Sequence, residues 1–360
     1  MSLEKQLFEE NGIYQSARSL LTSLPQLESL GTPYFCSKFN CLYLDAKNNI
    51  MTKIGVISKI PRFKNDPGSD SIELEYLGTQ ERKSYLNIND RHVVFNKYSL
   101  NHLWQYLTEI AAHDIASKNG VATVNLHRSG FIFDEEDNFC IKREMQYFDG
   151  ITVGEFSRHF YKTTKRYLRC LGQVFEKIVT NFKKIHDLGI IHRDINQKNI
   201  LINHDREIVI IDFGISKIID KDKLEQVKFE KLGLDKNLKE IISQDLEFTD
   251  TTYGGYGRMA PEIAKMETTG TKKSDLFSLG IMLYELLLNK DAFEKPKLQT
   301  MLNFRNSTRF NLIYDFVDRL TLPRAAKRAV GNSLLSSLNL DPQRRNYSDL
   351  HDAALALQRI

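Results

Sequence analysis

Apolar positions in residues 3–30 recur at helical spacing, interrupted at Pro25 and ended by Gly31-Thr32-Pro33. From Tyr34 to Ile60 the period shortens. Leu42, Leu44, Ile50, Ile54, Val56 and Ile57 read as strands around a turn at Lys47-Asn48-Asn49. The run from Asn65 to Asp70, rich in turn formers, is the best internal boundary, and strand signals return from Ile72 to Lys97. Leu100 to Lys118 then reads as a helix stopped by Asn119-Gly120. Two more strands, around Phe131–Phe133 and Phe139–Ile141, flank a polar turn. Beyond Gly150 the pattern is mostly helical, most clearly over Arg166–Leu188 and Ser274–Leu288. A strand-rich first part with one long helix precedes a helical second part.

Composition narrows this little. In 360 residues, 27% charged and 41% hydrophobic positions are ordinary for a globular chain able to bury a large core. The net charge of +4 is too mild to argue for nucleic acid. The richest apolar run, Phe277–Leu288, is broken by Glu285 and is too short to span a membrane, and residues 1–6 lack a signal-peptide core. Cys36, Cys41, Cys140 and Cys170 show no C-x-x-C spacing. They read as idle thiols in a reducing compartment, with the cytoplasm as the expected location.

The chemistry is concentrated in His192-Arg193-Asp194-Ile195-Asn196-Gln197-Lys198-Asn199, followed after a strand-like run, Ile208–Ile211, by Asp212-Phe213-Gly214. Asp194, Asn199 and Asp212 form a set of hard oxygen groups suited to phosphoryl transfer from a metal-bound nucleotide. The segment resembles the catalytic and metal-binding loops of eukaryotic-type protein kinases. Three later matches follow in the family's order: Met259-Ala260-Pro261-Glu262, Ser274 to Gly280, and Asp341-Pro342-Gln343-Arg344-Arg345. The resemblance covers residues 72–355. It implies an α+β, bilobal fold, with a small β-rich N-lobe carrying one long helix and a larger helical C-lobe. Residues 1–70 would be an N-terminal extension, 71–150 the N-lobe and hinge, and 151–360 the C-lobe, with an activation-segment insertion at 217–250.

By the same resemblance, Asp194 is the base and Lys198 a basic group near the γ-phosphate. Asn199 and Asp212 hold Mg2+, or Mn2+ in its place, and Leu201 lies under the adenine of ATP. Arg193 receives an activation-segment phosphate, with Thr249, Thr251, Thr252 and Tyr253 as acceptors, and Phe213 belongs to the Asp212 motif. Asp275 caps the backbone around His192, and Glu262 pairs with Arg345. Met145 is the gatekeeper, and the backbone of Gln146 and Phe148 meets the adenine edge.

The N-lobe matches the family less well. Setting Leu77–Tyr85 against the glycine-rich loop retains only Gly78. That alignment makes Lys97 the phosphate-gripping lysine, with Lys59 as its rival, and Glu109 its helix partner. Phe95 then stands where a small residue roofs the adenine. His113 takes the place of an aliphatic residue one turn after Glu109, and its packing is expected to depend on protonation. Asn196, Gly255 and Arg258 replace a lysine, a threonine and a tyrosine common in Ser/Thr kinases.

Two further features stand outside the motifs. Residues 221–244 carry helical apolar spacing, which predicts a docked insertion helix that gates substrate entry. Arg158, Lys162, Lys165, Arg166 and Arg169 recur at helical spacing, which reads as a solvated basic face or, as the sharper alternative, a site for an anionic activator such as a polyphosphate or lipid head group. The leading expectation is an ATP- and magnesium-dependent kinase of a protein hydroxyl, Ser/Thr before Tyr. Its divergence suggests a bacterial effector acting in host cytoplasm. The rivals are a pseudokinase scaffold and a small-molecule phosphotransferase.

Overall fold

The computed structural model describes residues 35–36, 40–45, 47–59, 74–80, 83–88, 91–95, 97–133, 138–159, 165–234, 238, 242, 258–265, 267–288, 313, 315–320 and 322–360. They divide into two compact units. The first draws on residues 1–114, 124–147 and 225–245, and the second on 115–123, 148–224 and 246–360.

The first unit is built on a five-stranded antiparallel sheet. Strands β1 (Phe35–Cys36), β2 (Asn40–Asp45) and β3 (Ile50–Lys59) lie in sequence order. A second, three-stranded sheet follows: β4 (Leu74–Gln80), β5 (Lys83–Ile88) and β6 (Arg91–Phe95). After helix α1 (Lys97–Lys118), strands β7 (Leu126–Phe133) and β8 (Asn138–Gln146) return to the first sheet, giving the order β1-β2-β3-β8-β7. This corrects the division expected at residue 70. The strands between residues 35 and 59 are no extension; they supply three of the five strands. The inserted element is the β4-β5-β6 sheet, which pairs with itself and interrupts the chain between β3 and α1.

Side-chain alternation assigns the two faces of β3 and β8. Tyr43, Ile54 and Cys140 form a small core on one face, with Val56 and Ile132 packed against it. On the other, Met51, Lys53 and Gly55 stand opposite Met145, Arg143 and Ile141. That face meets α1. A Cβ on Gly55 would fall 2.5 Å from the ring of Tyr106, so glycine is what allows the helix this close. Leu103, Leu107, Ile110 and Ala111 of α1 are buried, each contributing on the order of 1–3 kcal/mol when apolar and large.

In the second unit, β9 (Ile151–Thr152) leads into α2 (Val153–His159) and α3 (Lys165–Asp187). The inward stripe of α3 includes Leu171, Val174, Phe175, Ile178 and Phe182. Strands β10 (Ile190–Ile191), β11 (Ile200–Ile202), β12 (Ile208–Ile210) and β13 (Lys217–Ile218) form two small sheets, β12-β11-β9 and β10-β13. Helix α4 (Lys221–Gln226) follows, and the 3-10 turn over Phe229–Leu232 belongs to the first unit. After α5 (Pro261–Ala264), α6 (Lys272–Leu288) is buried on nearly every side. Helices α7 (Arg324–Ser337) and α8 (Tyr347–Gln358) close the chain. Gly172 of α3 brings that helix against α8, where a Cβ would lie 2.7 Å from the carbonyl of Ala354. The Asn346 side chain caps α8 by accepting from the Asp349 N–H at 2.9 Å.

The expected insertion helix is realised only in part. Described residues of the segment form α4 and the 3-10 turn, and the turn packs on β7. Gly233, with φ +84, closes on the carbonyl of Ser129, and Phe229, Leu232 and Leu234 are buried. No described helix is long and apolar enough to cross a membrane.

Candidate active site

The catalytic loop sits between β10 and β11, and its shape is imposed from the helix beneath it. Asp275, in the first turn of α6, accepts from the backbone N–H groups of His192 at 2.7 Å and Arg193 at 3.0 Å. It also accepts from His186 Nε2 at 2.9 Å, and Tyr347 Oη lies 2.7 Å from His186 Nδ1. Burial, with Asp275 and Asp187 nearby, pushes the Tyr347 phenol well above its usual range and keeps it a donor. Arg193 and Asp212 adopt left-handed backbone, φ 66 and 64, rare for residues with a Cβ and typical of sites where geometry is imposed. The rings of His192 and Phe213 pack at 5.1 Å.

Asn199 ties the loop together. Its side-chain nitrogen donates to the Asp194 carbonyl at 2.9 Å and to Asp194 Oδ2 at 2.8 Å. Its backbone carbonyl accepts from Ile211 N at 2.9 Å, immediately before Asp212. With the amide nitrogen committed, the Asn199 Oδ1 oxygen remains for a ligand. Asp212 is exposed on the loop after β12. One exposed carboxylate and one amide oxygen fit a Mg2+ that takes its other ligands from phosphate and water. Among the described residues no cluster of three or more His, Cys, Asp or Glu could hold a metal alone. Lys198 is exposed, and Asn196 braces the loop by accepting from the Lys198 N–H at 2.8 Å.

Glu262 and Arg345 form a buried two-pronged pair, Nη1–Oε1 2.5 Å and Nη2–Oε2 2.9 Å. A second buried acid, Glu285, was not singled out by motif. It accepts from Gln197 Nε2 at 2.9 Å and pairs with Arg258 at 3.0 Å, so Glu285 links α6 both to the loop's middle and to the arginine that replaces a tyrosine. The legible signal was the lone glutamate interrupting an apolar helix, since a buried charge requires a partner.

In the first unit the geometry corrects the sequence alignment. Glu109 pairs with Lys53 of β3, Nζ–Oε1 2.9 Å, while Lys97 is the residue that opens α1, the helix that carries Glu109. Lys59, the rival, ends β3. Gly78 lies within β4 opposite Tyr85, beside a β-bulge, and so is part of the inserted sheet. Phe95 ends β6 of that sheet, and Met51 stands two residues before Lys53 on the same face of β3, opposite Met145. The turn between β1 and β2, residues 37–39, lies outside the described residues, as do Thr249–Tyr253 and Gly255.

Glu109 has a second partner. Arg143 of β8, 1% exposed, bonds its Oε2 and lies over the Tyr106 ring at 4.6 Å. Arg143 is the direct cross-strand neighbour of Lys53. Like charges at that spacing repel, and the shared carboxylate compensates. Burial opposes ionisation of Glu109, but Arg143 and Lys53 outweigh it and hold its carboxyl at about 2. One turn on, His113 Nε2 lies 2.5 Å from the Val124 carbonyl and donates to it. Burial lowers the His113 pKa, so the ring is neutral.

Met145 is half-buried opposite Met51. The Gln146 N–H is taken by the Asn125 carbonyl at 2.8 Å. In the second unit, Phe148 packs on Gly150, and Leu201 is half-buried opposite Thr152.

The chain resembles known proteins along the same stretch. It is 31% identical over 148 residues to human ribosomal protein S6 kinase alpha-4, covering 40% of this chain and 16% of that protein. It is 30% identical over 161 residues to serine/threonine-protein kinase PrkC of Bacillus subtilis, covering 45% and 20%. A longer match, 23% over 369 residues, joins it to the interferon-induced, double-stranded RNA-activated protein kinase of Mus musculus, covering 89% and 65%. The chain thus spans less than two thirds of each of these relatives. The family model of the protein kinase domain matches residues 108–349, from the turn before Glu109 through Arg345, and the chain belongs to that family.

Proposed function

We propose that this chain is an active protein kinase that transfers the γ-phosphoryl group of ATP to a protein hydroxyl, serine or threonine in preference to tyrosine. One observation carries the reading: the Lys53–Glu109 pair at 2.9 Å, with the lysine half-buried and the glutamate buried. The argument for a scaffold rested on Phe95 and on a glycine-rich loop reduced to Gly78, and both lie in the separate β4-β5-β6 sheet. With Lys53 paired to Glu109, the first unit holds a placed lysine, and the second holds Asp194, Asn199 and Asp212. The Ser/Thr preference rests on the relatives, which are named Ser/Thr kinases where they specify an acceptor.

Lys53 would grip nucleotide phosphates, with Glu109 fixing its ammonium. Asn199 Oδ1 and the Asp212 carboxylate would hold Mg2+. Bound metal nucleotide supplies the phosphoryl group and neutralises its charge. Asp194, anchored by Asn199, orients the acceptor hydroxyl and accepts its proton. Arg143 secures Glu109 from the other side, so the glutamate keeps its place when Lys53 turns to a ligand.

Radiolabelled ATP with Mg2+ and a generic protein acceptor tests this. Label should reach protein with the wild type and vanish in Asp194→Ala and Asp212→Ala. Label confined to small acceptors would establish a small-molecule phosphotransferase instead. Neither label nor nucleotide-induced stabilisation would establish a scaffold.

A further inference from the structure

Helix α3 and the turn joining β11 to β12 enclose a cavity of about 470 Å³ lined by Arg166, Arg169, Cys170, Gln173 and Arg206. Positions 166, 169, 170 and 173 share one face of the helix by their spacing. Three of the five lining residues are arginines, and none is acidic. Among the described residues none of these guanidinium groups makes an ion pair with a carboxylate.

Arg206 is set in place. Its backbone is left-handed, φ 61, at the tip of a turn closed by Arg206 N to Asn203 O at 3.1 Å. Lys177 Nζ donates to its carbonyl at 2.7 Å, and its Nη1 donates to Gln173 Oε1 at 3.0 Å. The turn therefore aims the third guanidinium at the two on the helix. Burial raises the Cys170 thiol pKa while Arg206, Arg166 and Lys177 pull it down, so these cations converge on one point. The adjoining cavity of about 380 Å³ adds Lys177 with Glu176 and Asp205, but Glu176 is engaged by Gln358 at 2.6 Å.

Gathering three arginines in one concavity that no acidic residue lines is unfavourable, and a bound anion relieves it. Guanidinium forks match phosphate oxygens in pairs. The volume is that of a small-molecule site. No aromatic lines it, as a nucleobase or single strand would need. We infer that this cavity binds a small, multiply phosphorylated anion, free or as a lipid head group, at a place separate from the catalytic loop. The inference does not depend on the kinase reading.

The test uses the full chain, calorimetry at 150 mM salt, and two probes. These are inositol hexakisphosphate and phosphatidylcholine vesicles with or without phosphatidylinositol bisphosphate. Wild type should bind at least one phosphorylated probe, and Arg169→Gln and Arg206→Gln should each weaken binding tenfold or more. Lys265→Gln, an exposed cation elsewhere, should not. Both arginines are exposed, so the variants should keep the unliganded melting temperature, and Arg169→Lys gives an independent charge-retaining check with intermediate affinity. Binding of the soluble probe identifies a free ligand, and binding of vesicles alone identifies a head group. No binding of either probe, or equal weakening by Lys265→Gln, overturns the site. Binding only to RNA would replace it with a nucleic-acid surface.

Discussion

Two buried acids anchor the two units, and they were unequally readable. Glu262 meets Arg345 in a bidentate pair, supported by the Asn339 carbonyl 2.9 Å from Arg345 Nε. Glu109 meets two cations from adjacent strands, Lys53 and Arg143. In the first case one acid is satisfied by one arginine, and losing either leaves a buried charge alone. In the second, two cations share one acid, so either can be lost with the other still in place. The difference separates a structural tie from a positioning device with a spare partner.

The largest predicted effect follows from the first pair. Arg345→Met should cost about 3–5 kcal/mol, because Glu262 is left buried and unpaired. Chemical denaturation measures it, and a loss under about 1 kcal/mol would show the pair to be dispensable. Arg143→Met should cost less, about 1–3 kcal/mol, since Lys53 still answers Glu109. Its sharper signature is kinetic. Glu109 then depends on Lys53 alone, so kcat should fall more than KM for ATP rises, and Arg143→Lys should restore part of the loss. Unchanged kcat in Arg143→Met would reduce Arg143 to packing.

The same cluster sets a pH dependence. Glu109 is held at about 2 against an ordinary 4.5, so its contribution is fully present above pH 4.5 and is lost as pH falls toward 2. His113 is lowered from 6.5, so the folded state resists protonation and stability declines as pH falls below 6.5. Melting curves from pH 8 to pH 5 should slope downward on the acid side in wild type and less in His113→Leu. Parallel curves would remove His113 from the account. The smallest effect is at Met51, two residues before Lys53 on β3. Met51→Ala should lower KM for ATP by a few-fold, because Met51 and Met145 face each other across β3 and β8.

The helical unit was legible because its chemistry is local. Asp194, Asn199 and Asp212 lie on one loop and one short hairpin, where spacing nearly dictates geometry. Asp275 and Arg345 could be placed because their motifs follow in order. The sheet unit was not legible in the same way. A separate sheet over residues 74–95 stands between β3 and α1, so setting Leu77–Tyr85 against the glycine-rich loop led to Lys97 when the partner of Glu109 lies at Lys53. Arg143 was hidden for another reason. In a run of Lys142, Arg143 and Glu144 a charge reads as solvated, and only strand alternation against Lys53 shows that it turns inward. Glu285 was seen as a break in an apolar run, and its partners Gln197 and Arg258 come from distant segments.

The central claim is that Lys53, delivered by β3 and held by Glu109, serves phosphotransfer, while Lys97 merely opens a helix. Initial rates of Lys53→Met and Lys97→Met, with the melting temperature of each, test it directly. Lys53→Met should lose on the order of 100-fold in phosphotransfer, with folding largely retained because Arg143 still holds Glu109. Lys97→Met should match the wild type. An active Lys53→Met beside an inactive, folded Lys97→Met would contradict the account.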